Sequence, residues 1–219
     1  MPGFLFLGEF TIGVITALKI QARNKERVNV FIDNSYALAV TLSVAANLKK
    51  GQVLTEAEIE QLKAQDLRHK AYVHAIRYLG YRDRSRAEME QYLQQKDYPP
   101  DVVDEIVERL QQENYIDDLS FAQTWLENRT RFRPKGALAL RYELRQKGIA
   151  TDIIENILET LDETELARQA IDKKLSQWKN LDHIKFKTKG IGFLRRRGFA
   201  YETAHHVIDQ AWEAMQQTN

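Results

Sequence analysis

Few groupings in this chain of 219 residues have the residue types and spacing that chemistry asks for. Asp117-Asp118 with Glu113 offers carboxylates for a cation or for acid–base work. Neighbours on a helix point about 100° apart, so the aspartates do not converge on one ion, and helix capping is the expectation. His205-His206 fails as a metal pair for the same reason; no third ligand stands at useful spacing, and His69, His74 and His183 are scattered. Gly190-x-Gly192 lacks the rest of a phosphate loop and follows no strand. The absence of cysteine excludes disulfides, thiolate metal sites and a cysteine nucleophile. No nucleophile–base pair or cradle emerges, so we expect no enzymatic activity, no metal and no cofactor.

What recurs instead is positive charge. Arg68 to Arg86 holds six basic residues against one acid, Glu127 to Lys147 seven against two, and Leu181 to Tyr201 six against one. Between them, Asp101 to Asp118 has seven acids and one base, and Asp152 to Glu165 six acids and no base. These runs are either the solvated faces of helices or basic and acidic stripes laid along a long charged partner. Phe132, Phe186 and Phe199, interleaved with the bases, either stack on bases of a single strand or bury against helix faces. Trp125, Trp178 and Trp212 fall on helical stripes and are expected in the core.

The elements that carry these runs repeat. Leu93-Gln94-Gln95-Lys96-Asp97-Tyr98, Leu144-Arg145-Gln146-Lys147-Gly148-Ile149 and Leu194-Arg195-Arg196-Arg197-Gly198-Phe199 recur at about fifty residues, the signature of tandem helical units. Each precedes an amphipathic stripe: Val102, Val103, Ile106 and Val107; Ile153, Ile154, Ile157 and Leu158; Ala204, Val207 and Ile208. Gly148 and Gly198 sit where a left-handed C-cap belongs, and Pro99-Pro100-Asp101 and Asp117-Asp118 fit helix starts. Helices this short need one another for stability.

Upstream the period is two. Leu18, Ile20, Val28, Val30 and Ile32 alternate with polar neighbours, with turns at Asn24-Lys25-Glu26 and Asp33-Asn34-Ser35 and a third strand over Tyr36–Leu42. Three strands with one wet face need a helix to pack on. Thr55-x-x-Glu58 reads as a capping box, and residues 63–70 either extend its helix or link it to the array. The expected fold is mainly α: an elongated curved array of tandem three-helix repeats with a small N-terminal antiparallel β module. The expected parts are 1–62 (β module and short helix) and three repeats at 63–115, 116–163 and 164–219. Hydrophobic content of 43% supports a real core, and a net charge of +1 points to no class of partner. Apolar Phe4–Phe10 lacks a basic leader and carries Glu9; it reads as a tail or a first strand. No run is long enough for a membrane span, so a cytoplasmic protein without a membrane partner is expected.

From about Ile15 to Trp212 the chain resembles the RecX family of recombinase regulators. The resemblance rests on Tyr78-Leu79 with Arg82-x-Arg84-Ser85, Met89-x-x-Tyr92-Leu93-x-x-Lys96, and Tyr115-Ile116-Asp117-Asp118 with Phe121-Ala122 and Trp125. Lys135-Gly136 leading to Leu144-x-x-Lys147-Gly148-Ile149, and Lys25 to Val30 in the strand-turn-strand opening, complete it. Asp97-Tyr98 departs from the family's usual turn. The resemblance implies a monomer that binds along the groove of the RecA–single-stranded DNA filament and inhibits its ATPase, strand-exchange and coprotease activities in DNA repair and the SOS response. Single- and double-stranded DNA are further partners it allows; the alternative is a helical-repeat protein that binds single-stranded nucleic acid directly. The candidate contacts are Arg77, Arg82, Arg84 and Arg86, then Arg129, Arg131, Arg133 and Lys135, then Lys185, Lys187, Lys189, Arg195 and Arg196. They would pair with acidic recombinase surface or with phosphate, or else hold neighbouring repeats together.

Overall fold

Alternation of period two does produce a sheet. The computed structural model describes residues 11–217; Phe4–Phe10 lies outside them. β1 (Thr11–Ile20), β2 (Arg27–Ile32) and β3 (Ser35–Thr41) form an antiparallel meander. Asp33 and Asn34 both take positive φ, the two-residue turn that matches strand twist. β3 ends at Thr41 because Leu42 opens a short helix, α1 (Leu42–Ala45). The sheet also has a fourth strand: β4 (Val53–Thr55) pairs with the start of β1, giving the order β3-β2-β1-β4. Three residues are too few for alternation to register, which is why the sequence shows three strands.

The helix the sheet needs is α2 (Glu56–Leu79), opened by Thr55 and Glu58 in the expected capping box. Its Ile59 and Leu62 join Ile15, Val28, Val30, Leu38, Val40 and Leu54 in one core. Each such side chain contributes about 1.5–3 kcal/mol on burial. Residues 63–70 extend the helix without a break. There Asp66 takes both oxygens to Arg27 at 2.9 Å, accepts the Thr41 N–H at 2.6 Å and meets Lys70 at 2.7 Å. Burial alone would raise its pKa; these donors hold it below the ordinary value.

Among the described residues eight helices follow: α3 (Arg86–Gln94), α4 (Pro100–Gln112), α5 (Asp118–Phe132), α6 (Ala137–Gln146), α7 (Thr151–Glu159), α8 (Glu163–Trp178), α9 (His183–Arg196) and α10 (Tyr201–Gln217). The three cassettes end their helices alike. Tyr98 N–H reaches Leu93 O at 3.3 Å, Ile149 N–H reaches Leu144 O at 3.1 Å, and Phe199 N–H reaches Leu194 O at 3.2 Å. The residue before each donor is left-handed: Asp97 at φ 60°, Gly148 at 74°, Gly198 at 83°. Asp97 thus does the work of glycine, at a steric cost an aspartate tolerates.

The chain divides into two compact units. One holds the residues up to Tyr81 with Leu93–Glu108, the other Arg82–Tyr92 with the chain from Arg109 on. In the second unit, Phe121, Ala122, Leu140, Leu144, Ile149, Ile154, Ile157 and Leu158 make one core. Leu166, Ala167, Ala170, Ile171, Trp178, Phe186, Leu194, Phe199, Ala204, Val207 and Ile208 make another.

Candidate interaction surface

Two junctions inside the second unit use the same cassette. At the first, the C-terminal end of α6 meets the N-terminal end of α3. Ser85 Oγ donates to Lys147 O at 2.6 Å, and Gly148 lies so close to Ala87 that a Cβ there would collide with it. At the second, the C-terminal end of α9 meets the N-terminal end of α6. Gly136 N–H donates to Arg197 O at 3.0 Å and Leu138 N–H to Gly198 O at 3.2 Å; a Cβ on Gly198 would strike Ala139. Left-handed backbone and close approach together demand glycine at 148 and 198.

The candidate cations divide according to whether the fold already uses them. Arg82 forks Glu88 at 2.8 and 2.9 Å, and Lys147 reaches the same carboxylate at 2.6 Å. Burial would raise the Glu88 pKa, but those two donors hold it at about 2. Arg86 pairs with Glu90 at 2.7 Å and bonds Gln111 at 2.5 Å, while its backbone N–H is capped by Asp118 at 2.8 Å. Arg84 is half-buried. Arg129, at 2.7 Å, and Lys135 both close on Glu143, which also accepts the Trp125 Nε1–H at 2.9 Å. Lys187 pairs with Asp209 at 2.8 Å, and exposed Lys185 pairs with Asp182 at 3.0 Å. Arg77, Arg131, Arg133, Lys189, Arg195 and Arg196 are exposed, and among the described residues none of them makes an ion pair.

The aromatics change meaning. Phe186 and Phe199 are fully buried, so neither can stack on an external base; Phe132 is 69% exposed, with the Arg131 guanidinium 5.2 Å from its ring centroid. Trp178 is core, but Trp125 and Trp212 are only half-buried. Arg129 and Lys147 lie 4.5 and 5.3 Å from the Trp125 ring, a cation–π arrangement. Gly190 sits inside α9, where a Cβ would strike Ile208: the glycine serves helix packing.

Asp117 is the N-cap of α5, accepting the Leu119 N–H at 2.9 Å and the Ser120 N–H at 3.2 Å. Asp118 turns to α3 instead, and burial raises its pKa against the bond from Arg86 N–H. His205 Nδ1 lies 3.0 Å from Asp209, while His206 is exposed. Among the described residues no three His, Cys, Asp or Glu side chains gather as metal ligands, and no helix is long and apolar enough to cross a membrane.

Sequence reasoning missed Glu88, Lys147, Glu143 and Arg197. Lys147 and Arg197 share one cassette position, which could have marked them; Glu88 lies 59 residues from Lys147, and nothing local joins the two.

Four family models match the chain in order. They are the regulatory protein RecX N-terminal domain over residues 13–55 and the first, second and third RecX three-helix domains over 71–110, 117–158 and 162–208. Regulatory protein RecX of Bacillus pumilus is 33% identical over 208 residues, 93% of this chain and 79% of that one. Its counterpart in Listeria monocytogenes is 35% identical over 204 residues, 90% of this chain and 75% of that one. A crystal structure of regulatory protein RecX superposes with TM-score 0.73 at 28% identity, covering 90% of this chain and all of that one. The structure of RecX from Lactobacillus salivarius, at 24% identity and TM-score 0.61, shares the fold over 70% of this chain.

Proposed function

The chain belongs to the RecX family of regulatory proteins, and from that premise we infer that it regulates the RecA recombinase by binding along the groove of the RecA–single-stranded DNA filament. Bound there, it inhibits the filament's ATPase, strand-exchange and coprotease activities, as a cytoplasmic monomer acting in DNA repair and the SOS response. The carrying observation is the family match, which runs through the β module and all three helical repeats in order.

The contacts fall to the cations the fold leaves unspent. Arg77, Arg131, Lys189, Arg195 and Arg196 pair with carboxylates of the recombinase. Arg82, Arg86, Arg129 and Lys135 serve the protein's own packing through the glutamates they already hold. An uncommitted exposed cation steers encounter and can close a new ion pair on binding, whereas one already closed on its own carboxylate offers a partner little. No catalytic step is proposed.

A second reading has one observation in its favour: exposed Phe132 between Arg131 and Arg133 has the aromatic-and-cation composition of a single-strand binder. The seven acids between Asp101 and Asp118 weigh against direct binding along the whole chain, because they repel phosphate. RecA-dependent ATP hydrolysis on single-stranded DNA, with the protein titrated in, separates the two readings when binding to the same DNA without RecA is measured alongside. Inhibition at concentrations well below those that bind bare DNA supports the filament reading; inhibition only once the DNA is coated transfers the function to the second.

A further inference from the structure

At the α6–α9 junction one cation lacks, among the described residues, the carboxylate that its counterpart holds, and we propose that Arg197 and Arg133 there bind a phosphate group supplied from outside the chain. Lys147 and Arg197 occupy the same cassette position, each just before its left-handed glycine. Lys147 meets Glu88 at 2.6 Å. Glu88 stands five residues before Leu93 of its cassette, and the residue five before Leu144 is Ala139, which has no charge to offer Arg197.

Arg197 is half-buried and makes do with weaker partners. Its Nη1 donates to Pro134 O at 3.3 Å, and its guanidinium lies 4.6 Å from the Phe193 ring centroid. Of the four other half-buried arginines described in the same unit, Arg86, Arg129 and Arg141 each end on a glutamate, and Arg84 is the fourth. The bond ends on the carbonyl of Pro134, the residue after exposed Arg133, whose charge reaches Arg197 and which makes no ion pair among the described residues. Burial first, and then the charge of Arg133, push the Arg197 pKa below its ordinary value. A half-buried guanidinium next to a like charge is costly, and an external anion removes that cost.

Phosphate fits better than carboxylate. One carboxylate satisfies one guanidinium fork, whereas a phosphate spreads its charge over more oxygens and bridges two. The group can come from a free phosphate compound or from a nucleic-acid backbone. The proposal is independent of the recombinase, and its test contains none.

The test uses the full chain with two probes, pyrophosphate by titration calorimetry and a fluorescent oligothymidylate by anisotropy. Arg197→Gln and Arg133→Glu are each expected to weaken binding by about tenfold or more, the loss of one charge-assisted contact. Lys173→Gln, an exposed change on α8, is expected to alter it less than about twofold. Arg133 is exposed, so Arg133→Glu folds, and its thermal midpoint stays level or rises as the repulsion on Arg197 is removed. Loss with both probes means the site accepts a free phosphate; loss with the oligonucleotide alone assigns the phosphate to a nucleic-acid backbone. Equal affinities across all variants, or tighter binding of polyglutamate than of either probe, overturn the proposal.

Discussion

The two junctions of the second unit share a backbone plan and differ in charge. Both bring a left-handed glycine after a basic residue against the start of a preceding helix, at Gly148 on Ala87 and at Gly198 on Ala139. At the first, Lys147, Glu88 and Arg82 close into a charge triad. At the second, Arg197 faces a carbonyl and a ring. Recurring backbone geometry belongs to the repeat and is a matter of folding; the charge that decorates it varies from one junction to the next, and variation of that kind is where function can reside.

Valine at either junction glycine probes what the two junctions share. Gly148→Val and Gly198→Val each combine a β-branched residue at positive φ with a Cβ collision, and each should cost about 3 kcal/mol or more in urea unfolding. If only one of them does, the junctions are not mechanically equivalent. The next effect tests the difference. Glu88→Ala strands half-buried Lys147 and should cost about 1–3 kcal/mol, whereas Arg197→Met removes a cation with no carboxylate and should lie within about 1 kcal/mol of wild type.

Acid sharpens the same contrast. The Glu88 carboxyl is depressed from 4.5 to about 2 on folding, so the unfolded chain binds its proton first. Its contribution is therefore fully present above about pH 4.5 and is lost as pH falls through about 2. Glu88→Gln should flatten the fall in stability across that window, by on the order of 2 kcal/mol, in urea titrations repeated at each pH. Smallest of all, Arg195→Ala and Arg196→Ala should each leave stability within about 0.5 kcal/mol, since both side chains are exposed and neither makes an ion pair among the described residues.

Much of this architecture is legible from periodicity. The alternation of Val28, Val30 and Ile32, the capping box at Thr55 and the stripes of α4, α7 and α10 are local signals, and local hydrogen bonding and burial obey them. β4 is not legible because three residues carry no period. Which cations are already paired is not legible either: Arg82 and Arg129 look like Arg195 in sequence, and only folding brings them to Glu88 and Glu143. The same holds for Phe186 and Phe199, whose basic neighbours suggest an exposed face although α9 turns the first ring inward and the turn after α9 the second.

In the proposed function the unpaired cations act on the partner while the paired ones hold the fold. That division is tested most directly by comparing Lys189→Ala/Arg195→Ala/Arg196→Ala with Arg82→Ala/Arg129→Ala, measuring inhibition of RecA ATP hydrolysis and urea midpoints on the same preparations at a temperature where both remain folded. We predict that the first set loses inhibition by about tenfold or more with an unchanged midpoint, and that the second lowers the midpoint while keeping inhibition. Full inhibition by the first set, with inhibition lost in the folded second set, would contradict the account.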